Sequence, residues 1–151
     1  MRILIAVRLL SGLRSSIASG RWQPNGAPAI FKFIEQAVAA GHDLRIVMLD
    51  RAAQPVEAGT KYLDGLAAPV EIRSFLSLPD FVPRRIVTVL GELHLAWKLR
   101  QAAATHRADV IYTDRSLYWQ AGLLARFGRW PVVWRVLGIS PNLQEAWDNP
   151  A

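Results

Sequence analysis

"GAPAIFKFIEQAVAAGHDLRIVMLD" (Gly26–Asp50) joins a predicted helix to a predicted buried strand, and this pairing decides the fold class. Pro28–Ala40 has apolar residues at helical spacing; its proline suits a first helical turn, and the glycine after it suits a helix end. Leu44–Leu49 is continuous and apolar, as is typical of a strand covered by helices on both faces. A short apolar run, Arg2–Val7, precedes this unit, so the chain begins as strand, helix, strand.

The rest of the chain continues this alternation. Further helices are predicted over Arg84–His106 and Leu117–Phe127, and further strands over Val70–Phe75, Asp109–Tyr112 and Val132–Leu137. The first of these strands alternates apolar and polar residues, which predicts a half-exposed position at a sheet edge. Asp50–Pro69 is predicted to be a loop or a short irregular helix. The pattern implies an α/β fold: a Rossmann-like parallel sheet with helices on both faces and strand order 3-2-1-4-5.

An unusually long connection, Arg8–Ala27, separates the first strand from its helix. Loops of this length inside compact domains are usually functional or disordered. This one contains three glycines and three arginines among small polar residues, and it ends at a helix N-terminus, whose free N–H groups favour an anion. The connection therefore predicts part of a binding site, and the alternative is a mobile surface flap.

In such a sheet, ligands bind outside the carboxyl ends of the strands, where the strand order reverses between the first and fourth strands. Three connections meet at that end: Arg8–Ala27, Thr113–Ser116 and Gly138–Ser140. Arg135 lies inside an apolar strand and needs a partner or an opening to the crevice. For Asp114 and Arg115 the alternative is a surface ion pair. The predicted substrate-binding residues are Gly12, Arg21, Gly26, Asp114, Arg115, Arg135, Gly138 and Ser140.

Composition and motifs exclude several classes of site. The chain has 18 basic and 12 acidic residues, so 18 − 12 = +6, which favours anionic partners unless it reflects codon bias in the source genome. There is no cysteine, which excludes disulfides and thiolate metal sites and favours a reducing compartment. No G-x-G-x-x-G, P-loop or G-x-S-x-G motif is present, and the three histidines are too scattered for a metal site.

Two segments carry a resemblance to a known family. "GAPAIFKFIEQAVAAGHDLRIVML" (Gly26–Leu49) resembles the first helix and second strand of GT-B glycosyltransferases, where a glycine-bearing loop leads into a helix ending in Gly-His. "ADVIYTDRSLYWQAGLLARFGRWPVVWRVLGIS" (Ala108–Ser140) resembles their later strand, helix and strand. The likeness is greatest to the family 4, or "group 1", nucleotide-sugar transferases. Their first loop carries a Gly-Gly pair near the helix start, and here only Gly26 matches it.

The resemblance implies a two-domain glycosyltransferase with a cleft between its halves. Residues 1–151 would form the single amino-terminal, acceptor-side domain of that GT-B architecture, and a carboxyl-terminal domain would hold most of the nucleotide-sugar site. The implied partners are a nucleotide-sugar donor, a sugar or lipid-linked acceptor, and the missing domain or a partner chain that replaces it. No bound metal or other cofactor is expected, and the chain alone is expected to be inactive.

Two other functions fit the sequence. The first is a non-catalytic binding module, or one subunit of a split glycosyltransferase. The second is a membrane-surface protein, because "PRRIVTVLGELHLAWKLR" (Pro83–Arg100) is basic at both ends and apolar between them. A helix packed on the sheet explains the same pattern. The expected location is cytoplasmic, with peripheral attachment to the inner face of the membrane as an option, and no nucleic-acid partner is expected.

Overall fold

The computed structural model describes residues 1–9, 11–25, 28–50, 56–74, 83–128 and 130–135. It contains six strands, four α-helices and one turn of 3-10 helix at Arg115–Leu117. The helices all pack against one central sheet. The elements in chain order are β1 Arg2–Arg8, α1 Ser11–Ser19, α2 Pro28–Ala39, β2 Asp43–Asp50, β3 Gly59–Tyr62, β4 Pro69–Ser74, α3 Arg84–His106, β5 Val110–Asp114, α4 Tyr118–Phe127 and β6 Val132–Arg135.

The sheet has the order β3-β4-β2-β1-β5-β6, and every pairing is parallel except that of β3 with β4. β1 lies at the centre, with Ile5 opposite Ile46 of β2 on one side and Tyr112 of β5 on the other. The predicted α/β fold and the predicted order of the five parallel strands are therefore confirmed. The order reverses between β1 and β5, so a crevice is expected at the carboxyl ends of these two strands.

The central strands are apolar throughout because both of their faces are covered. In β1, Ile3, Ile5 and Val7 pack under α1 and α2, whereas Leu4 and Ala6 pack under α3 and α4. We call these two layers the α1–α2 core and the α3–α4 core. Alternate side chains of one strand point to opposite faces, so a strand shared by two cores needs apolar residues at every position.

The connection after β1 is not simply a loop, because it contains α1. Leu13 and Ile17 are four residues apart, and both are buried in the α1–α2 core. Serine-rich surroundings and the glycine in the first turn concealed this short helix, because those residues have modest helix propensity. The chain then returns beside α1 through an extended segment, 20–25.

The segment predicted as loop or irregular helix contains β3, which forms the outer edge beside β4. β4 is consequently an inner strand, and its predicted edge position is wrong. Two of its polar residues are largely shielded from water: Glu71 is buried, its Oε2 lies 2.9 Å from Nη2 of Arg45, and its Oε1 contacts the half-buried Arg73. Ser74, at the end of the strand, is exposed. The polar residues alternate along β4 because they belong to a cluster of paired charges, and not because one face of the strand is exposed to water.

β6 occupies the opposite edge and is less buried than its apolar sequence predicted. Val133 and Trp134 are each about half exposed, at 49% and 48%. Among the described residues no strand pairs with its outer side. An apolar sequence does not by itself distinguish an inner strand, which pairs with a strand on each side, from an edge strand, which pairs with only one.

The predicted helices are confirmed nearly to the residue. α2 ends where Gly41 adopts a φ of 73°, and His42 N donates to Ala37 O at 3.1 Å. α3 is the longest element: its 23 residues extend about 34 Å, against about 23 Å for the seven residues of β1. Because α3 is longer than the strand at the centre of the sheet, part of the helix extends beyond the end of that strand.

Candidate functional site

The carboxyl ends of the parallel strands form a row of polar residues. From one side of the sheet to the other, the strands end at Ser74 of β4, Asp50 of β2, Arg8 of β1, Asp114 of β5 and Arg135 of β6. The helices run antiparallel to the strands, so α1 and α2 begin at this same end. Anion-binding helix N-termini and polar side chains therefore converge here, next to the reversal between β1 and β5.

Gly12 fixes the geometry of the first connection. A Cβ on Gly12 would overlap the carbonyl oxygen of Asn25, and Asn25 N donates to Gly12 O at 3.2 Å. This contact holds the start of α1 against the segment that leads into α2. Gly12 is thus brought to the predicted end of the sheet, where its role is to permit close approach of two backbone segments.

Asp50 and Arg14, neither of which was predicted as a substrate-binding residue, form an ion pair at this end. Asp50 is 2% exposed; its Oδ1 lies 2.5 Å from Arg14 Nη2, and its Oδ2 accepts from Val56 N at 2.7 Å. The pair ties α1 to the end of β2. A carboxylate directly after a strand of apolar residues was the available signal, because it places an acidic group at the carboxyl end of that strand.

Asp114 and Arg135 are neighbours, since they are register partners in β5 and β6. Asp114 Oδ1 accepts from Ser116 N at 2.9 Å and from Ser116 Oγ at 2.5 Å, so this carboxylate caps the following turn. Asp114 O also accepts from Trp134 Nε1 at 3.1 Å. Arg115 begins the 3-10 helix at the same end. The structure therefore groups three predicted residues beside the reversal point, one of them partly engaged as a helix cap.

Thr113 is a further polar residue at this place. It is 2% exposed, it pairs in register with Ala6 of β1, and its Oγ1 has no hydrogen-bond partner in the described part of the chain. Strand alternation directs it to the α3–α4 face, opposite to Asp114. A buried hydroxyl without a partner is uncommon in folded proteins, so Thr113 joins the candidate residues.

One predicted residue, Arg21, does not join this group. Arg21 lies at the amino end of the sheet: its neighbour Trp22 donates from N to Asp64 O at 2.8 Å, and Asp64 follows the end of β3 at which Tyr62 pairs with Pro69. The carboxyl-end location predicted for Arg21 is therefore wrong. Gly26, Gly138 and Ser140 lie outside the described residues.

A cavity of about 430 Å³ lies between β4 and α3, two strands from the reversal point. Arg73 and Lys98 line it together with His94, Glu71 and Ser74. Arg73 Nε is buried and has no hydrogen-bond partner within the described residues. The lining of the cavity contains both acidic and basic side chains, and the Glu71 carboxylate contacts two arginines. This cavity meets the row of polar residues at Ser74, but it lies away from the reversal of strand order.

Over the described residues, no group of three or more histidine, aspartate or glutamate side chains could hold a metal ion. In the same part of the chain, every helix is too short or too polar to cross a bilayer. The arrangement at the carboxyl end offers backbone N–H groups, arginines and carboxylates for binding polar groups. It is suited to positioning a hydroxylated or anionic substrate.

Comparison with known proteins identifies the family. Residues 26–151 match the profile of the glycosyl transferase 4-like domain. The chain belongs to this glycosyl transferase family. The resemblance to family 4 GT-B glycosyltransferases expected from the sequence is confirmed. No curated protein sequence matches the chain.

One solved structure supports this fold. Sucrose-phosphate synthase from Thermosynechococcus elongatus superposes with a TM-score of 0.54 at 16% identity, over 97% of this chain and 35% of the synthase. The glycotransferase of kitacinnamycin matches with a TM-score of 0.48 at 17% identity, over 97% of this chain and 34% of that enzyme. The likeness to the synthase shows a shared fold. The glycosyl transferase 4-like chain spans about a third of the length of these two structures.

Proposed function

We propose that this chain is the acceptor-binding half of a glycosyltransferase that uses a nucleotide-sugar donor. The observation that carries the proposal is membership of the glycosyl transferase 4-like family across residues 26–151. The polar row at the carboxyl ends of β1, β5 and β6 supports it, because ligands of such sheets bind at the reversal of strand order. A second domain or a partner chain would supply most of the donor site.

In this proposal the chain orients the acceptor hydroxyl towards the sugar carbon of the donor. Correct orientation of two bound reactants replaces an unfavourable encounter in solution and lowers the barrier by several kcal/mol, on the order of 7 or more in the best cases. Arg135 and Asp114 contact the acceptor, and the buried Asp50–Arg14 pair keeps α1 in position beside it. α1 and the start of α2 would form one wall of the cleft that closes over the bound substrates.

Catalysis requires stabilisation of the negative charge that develops on the leaving phosphate. In the proposed division of labour that task belongs mainly to the second domain, with support from the N-terminus of α2. No metal is needed for this step, so the expected result of adding a chelator is unchanged transfer. We place the activity in the cytoplasm, in keeping with the absence of cysteine.

The test is sugar transfer by the gene product in its natural length, with labelled nucleotide-sugar donors and a set of acceptors. Arg135→Ala should raise the acceptor KM by roughly 10- to 150-fold, because a charge-assisted contact is worth roughly 1.5–3 kcal/mol. Arg21→Ala is the matched control, since it removes the same charge at the opposite end of the sheet. It should leave both kcat and KM unchanged. Equal effects of the two substitutions would contradict the placement of the acceptor.

The alternative is a non-catalytic module or a subunit of a split glycosyltransferase. Affinity purification of the tagged 151-residue chain distinguishes the two. If transfer appears only when a second chain co-purifies, the split-enzyme reading replaces the single-chain enzyme. If no donor or acceptor is consumed or bound under either condition, the transferase proposal fails.

A further inference from the structure

The outer face of α3 and α4 exposes an unusual amount of apolar surface. Of the twelve large apolar side chains exposed in the described chain, eight lie on these two helices and none on α1 or α2. Each of the eight is between 46% and 69% exposed. They form what we call the α3–α4 surface: Ile86, Val89, Leu90, Leu93, Trp97, Tyr118, Trp119 and Phe127.

On α3 these residues form one continuous stripe. At 100° per residue, all five fall within an arc of about 100°. The opposite side of the helix carries a second apolar stripe, which includes Leu95, Leu99 and Ala102 and is buried against the sheet. The core is therefore filled without the outer stripe. A helix that is apolar on both sides is expected where a second apolar environment contacts it.

The two helices present one joined surface. A groove of about 240 Å³ lies between them, lined by Val89 and Leu93 of α3 and by Trp119 and Leu123 of α4. Both helices begin at the carboxyl end of the sheet. Contiguous exposed apolar patches larger than a few hundred Å² are rare on soluble monomers and mark interaction sites.

Cations surround this surface. α3 and α4 together contain five arginine or lysine residues and one acidic residue, so 5 − 1 = +4, whereas α1 and α2 contain two and one, so 2 − 1 = +1. The single acid, Glu92, accepts from the Gln120 amide. Lys98 Nζ lies 4.8 Å from the centre of the Trp97 ring, and the Arg126 guanidinium lies 5.5 Å from that of Phe127. Aromatic rings with cations beside them suit the headgroup region of a bilayer.

We propose that the α3–α4 surface attaches this protein to an anionic lipid bilayer. The apolar stripe would enter the boundary between headgroups and acyl chains, and Arg85, Lys98, Arg100 and Arg126 would contact lipid phosphates. A second copy of the chain is a poorer occupant. A two-fold interface would place this cationic surface against itself, with like charges opposed. The inference goes beyond the proposed transferase and does not depend on it.

The test is flotation of the 151-residue chain with vesicles of phosphatidylcholine, alone or mixed with phosphatidylglycerol. Binding is expected to the mixed vesicles only and should weaken as salt is raised. Leu93→Glu and Trp119→Glu should each reduce binding at least tenfold. Tyr62→Glu is the matched control, because Tyr62 is 78% exposed on β3, outside this surface, and its substitution should have no effect.

A charge series separates the electrostatic contribution. Arg126→Glu should weaken binding at least fivefold, in line with the usual contribution of one cation near an anionic membrane. Lys32→Glu on α2 introduces the same charge change on the opposite side of the sheet and should leave binding intact. If both variants lost vesicle binding equally, the attraction would depend only on the net charge of the protein. That result would overturn the assignment of binding to the α3–α4 surface.

Two further results would overturn the proposal. One is failure of the unaltered chain to float with mixed vesicles at low salt. The other is a stable dimer in sedimentation velocity that Trp119→Glu dissociates, which would assign the surface to a second copy. Conversely, acyl chains brominated near the headgroup should quench tryptophan emission in the unaltered chain, and the Trp97→Phe/Trp119→Phe double variant should lose most of that quenching.

Discussion

Asp109 and Arg2 form a surface ion pair at the amino end of the sheet, opposite to the candidate site. Arg2 Nη2 lies 2.9 Å from Asp109 Oδ1, and Arg2 N donates to Oδ2 at 2.7 Å. The hydrogen bonds from the Arg2 side chain and backbone lower the pKa of Asp109 below its ordinary value of 3.8. Asp109 N also donates to Arg2 O at 2.8 Å, which joins the starts of β1 and β5.

A lowered folded-state pKa fixes the sign of a pH effect. The unfolded chain binds the proton more readily than the folded chain, so the stabilisation is complete above pH 3.8 and is lost as pH falls through the folded-state pKa. Asp109→Asn should be less stable than the parent at neutral pH by a small margin, because the pair is exposed. The margin should shrink towards zero as pH falls below 3.8 and through the folded-state pKa, in urea titrations at a series of pH values. A margin that is constant across this range would contradict the assigned cause.

At the scale of elements, the sequence predicts the helices and strands that have a clear pattern of apolar residues. It does not predict the elements that are stabilised by contacts with distant parts of the chain. α3 and the five parallel strands could be recognised because each shows a pattern of apolar residues in its own sequence. α1 and β3 could not, because Leu13 and Ile17 gain their stability from the α1–α2 core and β3 from pairing with β4. Short elements depend on tertiary partners that local sequence does not display.

The candidate site shows the same division. Asp114 was correctly expected at the carboxyl end because its strand was recognised, and the pairing of β5 with β6 places Arg135 beside it. Arg21 was expected there only because α1, which carries the chain to the other end of the sheet, had been taken for loop. The position of Asp50 after an apolar strand was a signal for the site, but its pairing with Arg14 was not, because a contact between residues 36 positions apart cannot be read from either residue alone.

The first connection depends on the close approach at Gly12. Gly12→Ala should destabilise the chain by about 1–3 kcal/mol, since the added methyl overlaps the Asn25 carbonyl. The amide proton of Asn25, which donates to Gly12 O, should exchange faster with solvent in the variant. Gly122→Ala is the matched control: a Cβ there meets no atom within 4 Å, and Gly122 lies inside α4. It should stabilise the chain by about 0.5–1 kcal/mol, so destabilisation by both substitutions would refute the packing explanation.

At the scale of the whole molecule, the two cores are expected to unfold together. They lie on opposite faces of the sheet but share its strands: Leu4 faces the α3–α4 core and Ile5 the α1–α2 core. Neither layer can lose its packing without exposing strands that also support the other. The chain should therefore behave as one cooperative unit, as most single domains of this size do.

Leu99→Ala tests this coupling from one side. Leu99 is 1% exposed in the α3–α4 core, so its truncation should lower the free energy of unfolding by about 2–5 kcal/mol. Trp22 packs against the α1–α2 core and Trp130 against the other, which allows fluorine-labelled tryptophan resonances to report on each core separately. Both native resonances should disappear at the same urea concentration, in the parent and in Leu99→Ala, with the midpoint lower in the variant. If Trp130 lost its native resonance while Trp22 kept it, the cores would be independent, and the sheet would not transmit a change at α3 to α1 and the candidate site.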